Sequence, residues 1–247
     1  MYEGNRSLKR KCDPETINYE LRKNIGSVWS KTREFNNISS FLLQNCNELN
    51  LIGIDSNFSM THYDFSRFFE SLKTHYAIDK DPDLNFNHFE AILNTLVTQS
   101  YDANINSEDF VLLHNYLKTI SERVKNHDDE DQVLKNYMLQ EIKNLDLFAR
   151  AIEAGISEGS KLRDEQMANN LLWTANNYYP NEKIIVWTAN FHAANKLSEA
   201  IYNEDNNFYN SFITFAENVS DNIGKDKVFT VATLSTNGNY NQFNNIS

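Results

Sequence analysis

Residues 163–192, RDEQMANNLLWTANNYYPNEKIIVWTANFH, decide which fold to expect of this chain. Apolar residues in the first half recur at spacings of four, four and three, which places them on one helix face: Met167, Leu171, Ala175 and Tyr178. Pro180 marks a turn. The next run, residues 183–188, is β-branched and apolar, as in a strand buried on both faces of a parallel sheet. The segment therefore predicts a helix, a turn and a buried strand.

Polar residues at both ends of this segment are site candidates. Asn190 and His192 follow the predicted strand, and ligands of open α/β sheets bind beyond the carboxyl ends of strands. A histidine there can act as a general base, because its pKa lies near operating pH, or it can be structural. Arg163 and Asn170 lie along the same side of the helix as Met167. They either rim the core, with the arginine stem over apolar surface, or help to build a pocket.

Two further strands and a long helical block complete the predicted architecture. Residues 51–54 form a buried strand that ends at Asp55, and residues 227–234 form another. Five helices are predicted before the strand at 183: 62–74, 85–101, 107–126, 131–154 and 159–179. Such a block is too long for an ordinary crossover. It predicts an α/β fold, helix-rich overall, in which a small, mainly parallel sheet carries a large helical insertion.

The same pattern predicts two structural regions. Residues 1–56 and 157–247 would form the α/β core, which is incomplete at its N-terminus. Residues 57–156 would form a helical cap subdomain over the carboxyl edge of the sheet. Such a cap can enclose a substrate and exclude water, although plain helical packing gives the same pattern.

Two further residues are candidates for catalytic groups, and each also has a structural alternative. Asp55 follows a buried strand, so it could act in catalysis, orient a histidine, or form a turn with Ser56 and Asn57. Ser157 lies in a Gly-x-Ser-x-Gly match at residues 155–159. A nucleophile elbow needs a strand before that serine, and the preceding residues indicate a helix, so the match predicts a turn between helices.

Composition limits the classes of partner and cofactor. The net charge of −11 argues against nucleic acid or an anionic membrane as the main partner. Cys12 and Cys46 lack metal-ligand spacing, and the histidines of the helical block are scattered, so neither a metal nor another cofactor is expected. No signal peptide or membrane-spanning run is visible, which makes the cytoplasm the default location. The oligomeric state is left open.

The motif residues resemble the erythromycin esterase family, which includes succinoglycan-biosynthesis homologues. Its Arg-Asp-x-x-Met-Ala-x-Asn helix is complete here: Arg163, Asp164, Met167, Ala168 and Asn170. Its Trp-Ala-His-Asn-x-His strand end corresponds to residues 187–192, in which Ala189 replaces the first histidine. Weaker matches extend along most of the chain: Trp29, Thr32 and Glu34, residues 51–55, residues 226–231, and Asn237 with Gly238.

The resemblance implies a hydrolase that opens ester bonds, in the named members a macrolide lactone, by His-assisted attack of water. Catalytic roles would fall to His192, Asp55 and Glu3, since the family has an acidic residue near the latter position. Arg163, Asn170 and Asn190 would bind the substrate, a small ester or lactone.

Two departures support an alternative function. The family's Glu-x-x-His motif does not occur in these residues, and its first strand-end histidine is Ala189. The chain is therefore interpreted as part of a longer family architecture or as a protein that has lost its ends. The alternative is a non-catalytic or vestigial relative that keeps the fold as a binding protein.

Overall fold

The computed structural model describes residues 13–15, 18–19, 32–33, 35–58, 65–128, 131–199 and 209–232. The α-helices named below are α1 (Phe35–Gln44), α2 (Ser66–Thr74), α3 (Phe86–Gln99), α4 (Ser107–Asn126), α5 (Gln132–Asn177), α6 (Asn190–Ala193) and α7 (Phe215–Ile223). Short 3-10 helices comprise Ile78–Lys80, Ser100–Asp102, Leu197–Glu199, Tyr209–Ser211 and Lys225–Lys227. The chain divides into two compact units, Met1–Asn170 and Leu171–Ser247. The predicted cap boundaries at 57 and 156 stay a prediction.

Helices α2 to α4 form because their apolar residues recur every three or four positions. In α4 this stripe is fully buried: Phe110, Leu113, Leu117, Ile120 and Val124. The Asn106 side chain caps α4 by accepting a hydrogen bond from the Asp109 amide at 2.8 Å. A cap of this kind contributes about 1 kcal/mol. The helix spans Ser107–Asn126, which are the bounds predicted for it.

The core of the first unit is rich in aromatic side chains from α2, α3 and the first half of α5. Phe69 contacts Phe86 and Phe89 edge-on, with ring centroids 6.0 Å apart in both pairs. Phe148 meets Phe58 edge-on at 5.5 Å. Edge-to-face pairs add about 0.5–1.5 kcal/mol each beyond the burial of their surface. This packing places residue 58, and with it the adjoining segment 51–57, against the helices.

The predicted α/β fold is wrong for the part of the chain that the structure describes, which contains helices and no strand. Residues 51–54 and 183–188, and the described portion of 227–234, have no β-ladder. Ile185 is 96% exposed and Phe229 is 90% exposed, although both were expected inside a sheet. β-branched composition favours a strand only where partner strands supply the backbone hydrogen bonds and bury the side chains.

Helix α5 contains a break at Gly155, where φ is +79° and ψ is 174°. This backbone region is open essentially to glycine alone. Ser157 lies in the helical segment that follows the break and is exposed. The absence of a preceding strand at this described position confirms that the Gly-x-Ser-x-Gly match is a junction between helices, not a nucleophile elbow.

The face of α5 beyond this break is more polar than its apolar spacing predicted. Met167 is buried as expected, whereas Leu171 and Ala175 are only partly buried. The nearly solvent-free positions also carry polar side chains: Asp164, Gln166, Asn170 and Thr174. Buried polar groups require hydrogen-bond partners, so this face points to a polar cluster.

In the second unit, α6 and the start of α7 are joined by aromatic packing and by one hydroxyl. Phe191 meets the fully buried Phe212 with ring centroids 4.9 Å apart. The Thr214 hydroxyl donates to the Ala194 carbonyl at 2.6 Å and caps α7 by accepting from the Glu217 amide at 3.2 Å. These contacts hold the backbone around residue 192 in place.

None of the helices in the described part of the chain combines the length and the apolar composition that a membrane-spanning segment needs.

The stability of the first unit is expected to depend on acid pH through Asp146. Burial opposes ionisation, but hydrogen bonds with His114 at 2.6 Å and Arg150 at 2.8 Å hold the pKa of Asp146 below its ordinary value. A lowered pKa stabilises the fold above the unfolded-state pKa, and the contribution is lost as pH falls through the folded-state pKa. Asp146→Asn should therefore cost about 1 kcal/mol near neutral pH, and less once the pH falls through the folded-state pKa of Asp146.

Urea unfolding of wild type and Asp146→Asn across this pH range measures the difference. Asp79→Asn, at an exposed position, is the control and should show little cost at any pH. A cost of Asp146→Asn that stays constant with pH would contradict the assignment.

Candidate functional site

Arg163 and Asp55 form a bidentate ion pair in the first unit, although they are 108 residues apart in sequence. Arg163 Nε donates to Asp55 Oδ1 at 2.9 Å, and Nη2 donates to Oδ2 at 2.5 Å. The Asp55 side chain is 39% exposed, so the pair contributes only about 0–1 kcal/mol to stability. Since two parallel hydrogen bonds fix both planar groups, the pair acts mainly on orientation.

Arg163 keeps its charge in a partly buried position. Burial disfavours the guanidinium, but the hydrogen bonds and charge of Asp55, with Asp164 and Tyr101 nearby, hold the pKa of Arg163 above its ordinary value. Burial also raises the pKa of Tyr101, and the charge of Arg163 opposes this rise. Tyr101 thus belongs to the surroundings of Arg163, and no sequence signal had indicated it.

Asp55 is itself held in a local turn. Its Oδ1 accepts a hydrogen bond from the Asn57 amide at 2.9 Å, so residues 55–57 form the turn that was one of the alternatives for Asp55. Ser56, between them, is 3% exposed. Asp55 Oδ1 therefore accepts hydrogen bonds from both the Asn57 amide and Arg163, whereas Oδ2 accepts from Arg163.

Asn170 reaches the same segment from the end of the first unit. Its Nδ2 donates to the Ile54 carbonyl at 2.8 Å and to Asn144 Oδ1 at 3.0 Å. Its Oδ1 accepts from Gln140 Nε2 at 2.5 Å and from Gln166 Nε2 at 2.9 Å. Gln166 lies three residues after Arg163, so helical spacing could have found it. Gln140 and Asn144 come from another part of α5 and carry no sequence signal.

Asn190 and His192 lie in the second unit, on the short helix α6. Ala189 is the residue that precedes this helix, and its carbonyl accepts from the Ala193 amide at 3.2 Å. The His192 ring meets Phe191 edge-on at 5.5 Å, and Phe191 is anchored on Phe212. His192 is half-buried, which leaves part of the imidazole accessible.

The structure thus brings three of the predicted site residues together in one unit: Asp55, Arg163 and Asn170. The other unit holds Asn190 and His192. Glu3 lies outside the described residues, as do Trp29 and Glu34. Among the residues that the structure describes, no group of histidine, cysteine and carboxylate side chains has an arrangement that could hold a metal ion.

The chemistry available at Arg163 is electrostatic. A guanidinium has five N–H donors, and Asp55 engages Nε and Nη2. The remaining donors can bind a carbonyl oxygen or stabilise the negative charge that develops on it. Such preorganised donors lower the barrier of acyl transfer, because they need no reorientation during the reaction.

Comparison with known proteins bears on the family to which the chain belongs. A search of curated proteins and a search of solved structures each returned no match. The model of the family described as erythromycin esterase matches residues 8–246, which include Asp55, Arg163, Asn170, Asn190 and His192. Because this match covers nearly the whole sequence, the chain belongs to the erythromycin esterase family.

Proposed function

We propose that this chain hydrolyses ester or lactone bonds of a small molecule by water attack. The observation that carries the proposal is the family match over residues 8–246. The bidentate pair of Arg163 with Asp55 supports it, since it provides a fixed cation, some of whose donors are engaged by no residue that the structure describes. Membership in an esterase family suggests a hydrolase and a small-molecule substrate.

In the proposed reaction, a water oxygen attacks the carbonyl carbon and loses a proton to a general base. The electron pair of the carbonyl moves to its oxygen, and Arg163 stabilises the resulting oxyanion. Collapse of the tetrahedral intermediate breaks the ester C–O bond, and the alkoxide takes the proton back from the base. Asp55 orients Arg163, and Asn170 serves substrate binding. The roles of His192 as the base, of Asn190 in substrate binding and of Glu3 in catalysis stay predictions from the family resemblance.

The direct test is hydrolysis by purified wild-type protein. Nitrophenyl esters of increasing acyl length and a macrolide lactone are the probes, and mass spectrometry should detect products that have gained one water. Ser157→Ala is the matched control, because its exposed position predicts unchanged turnover. Absence of hydrolysis with every probe would reject the proposal for these substrates, and loss of turnover in Ser157→Ala would reject the water mechanism.

A non-catalytic binding protein is the second candidate, because Ala189 stands where the family motif has a histidine. Thermal unfolding with and without the macrolide separates the two functions. A ligand-dependent rise in Tm without turnover favours the binding protein, since a ligand that binds only the folded state raises its apparent stability. Turnover of the same compound excludes this alternative.

Arg163→Lys is expected to lower kcat/KM about tenfold or more, with a fold that remains intact. Lysine keeps the positive charge but cannot form two parallel hydrogen bonds with Asp55. Steady-state kinetics on the best ester, with circular dichroism as the fold control, measures the effect. Arg150→Lys is the matched control, because Arg150 pairs with Asp146 on the helix surface. Equal losses in the two variants would contradict a specific role for Arg163.

A further inference from the structure

Four amide side chains of α5 form a connected network beside Asp55. This amide cluster comprises Gln140, Asn144, Gln166 and Asn170. Gln140 and Asn144 precede the break at Gly155, whereas the other two follow it. Gln166 Nε2 donates to Asn144 Oδ1 at 2.8 Å, which closes a ring of contacts with Asn170. The cluster therefore joins the two halves of α5.

The orientation of each amide in the cluster follows from one backbone carbonyl. The Ile54 carbonyl can only accept, so Asn170 must present its NH₂ group there. Asn170 Oδ1 then faces Gln140 and Gln166, and both must present their NH₂ groups. Asn144 must present its oxygen to Asn170 and Gln166. A flipped amide at any of these positions would set two donors or two acceptors against each other.

The amide cluster fixes the position of the Arg163–Asp55 ion pair through the backbone at residue 54. Fixing the Ile54 carbonyl fixes the peptide plane that leads into Asp55. Asp55 is held on its other side by the hydrogen bond from the Asn57 amide. Its carboxylate then sets the guanidinium plane of Arg163 through two hydrogen bonds.

Stability alone does not account for the amide cluster, because the cluster contains a buried acceptor that destabilises the fold. Gln166 is 1% exposed, and its Oε1 has no hydrogen-bond partner among the residues described. A buried acceptor without a partner costs about 1–3 kcal/mol. An apolar contact of the same shape would avoid that cost, whereas it could not orient the Ile54 carbonyl.

We propose that Asn144 and Gln140 are positioning residues for Arg163, acting through Asn170, Ile54 and Asp55. Their role in hydrolysis rests on the proposed function, whereas their effect on the Arg163 side chain does not. Errors of about 1 Å in the position of a catalytic group can cost up to 100-fold in rate. Removing the acceptor of Asn144 should therefore lower kcat about tenfold and leave KM within about twofold.

The test compares Asn144→Leu with Asn144→Asp. Leucine has a similar size and no acceptor, whereas aspartate keeps an oxygen for both incoming hydrogen bonds. The first readout is the Arg163 Nε–H signal in ¹H–¹⁵N NMR of arginine-labelled protein, assigned by its loss in Arg163→Lys. We expect this signal to shift or broaden in Asn144→Leu and to return to the wild-type position in Asn144→Asp. The second readout is kcat and KM on the best ester. We expect kcat to fall in Asn144→Leu and to return toward the wild-type value in Asn144→Asp.

Each outcome decides the proposal. An unchanged Arg163 signal in Asn144→Leu overturns it, and so does a changed signal with unchanged kcat in an active protein. Equal losses of kcat in Asn144→Leu and Asn144→Asp would give Asn144 a merely structural role, and this result would also overturn the proposal. If Asn144→Leu does not fold, Gln140→Met replaces it, because it removes one donor to Asn170 and leaves the acceptor of Asn144 in place. If wild type hydrolyses no ester, the proposed function fails, and the NMR comparison still tests the positioning.

Discussion

Replacement of His192 by alanine is expected to lower kcat for ester hydrolysis about 10²–10⁴-fold, the usual contribution of a general base. Without the imidazole, no side chain at this position can take the proton from the attacking water. The fold should remain, because Phe191 and Phe212 keep their mutual packing when the half-buried His192 ring is removed. Initial rates at matched protein concentration, with circular dichroism for the fold, give the measurement.

Chemical rescue distinguishes a missing base from a disturbed loop. Added imidazole should restore part of the turnover of His192→Ala, since a free base can enter the space that the side chain has left. Phe191→Leu is the control, because it disturbs the packing against Phe212 and keeps His192. That variant should lose stability and should gain nothing from imidazole. Equal turnover of wild type and His192→Ala would remove His192 from the mechanism.

The helices of this chain could be predicted from sequence because their determinants are local. In α4 the buried stripe from Phe110 to Val124 follows helical spacing, and the residues that cap it are adjacent. The strands could not be predicted in this way. The run at 183–188 has strand-like composition, but a strand also needs pairing partners that local composition does not specify. With no β-ladder at these described residues, Ile185 is exposed where a core position was expected.

The same distinction applies to the candidate site. The motif helix identified Arg163 and Asn170, and the spacing along that helix could have added Gln166. Their contacts with residues 54 and 55 span more than one hundred positions, and no spacing rule reaches that far. Gln140 and Asn144 are placed there by the break at Gly155, where one glycine lets the two halves of α5 bring their amides together.

Gly159→Ala is expected to lower the free energy of unfolding by about 2–3 kcal/mol. This is the upper part of the range of about 1–3 kcal/mol that an extra methyl group costs in a well-packed interior. A Cβ at this position would lie 2.3 Å from the Ala151 carbonyl oxygen and 3.0 Å from the Tyr101 hydroxyl. Alanine gains about 1 kcal/mol in helix propensity over glycine, which is less than the cost of moving a backbone carbonyl. Calorimetry should show a fall in Tm of roughly 4–12 °C for a chain of this size.

Two further variants identify the contact that causes this loss. Gly155→Ala meets no atom within 4 Å, so its cost comes only from the positive φ and should be about 1–3 kcal/mol. Tyr101→Phe removes the hydroxyl, and the backbone contact with Ala151 remains. The Gly159→Ala variant should therefore stay destabilised in the Tyr101→Phe background. Full recovery there would mean that the hydroxyl, and not the close approach of the two halves of α5, requires glycine at 159.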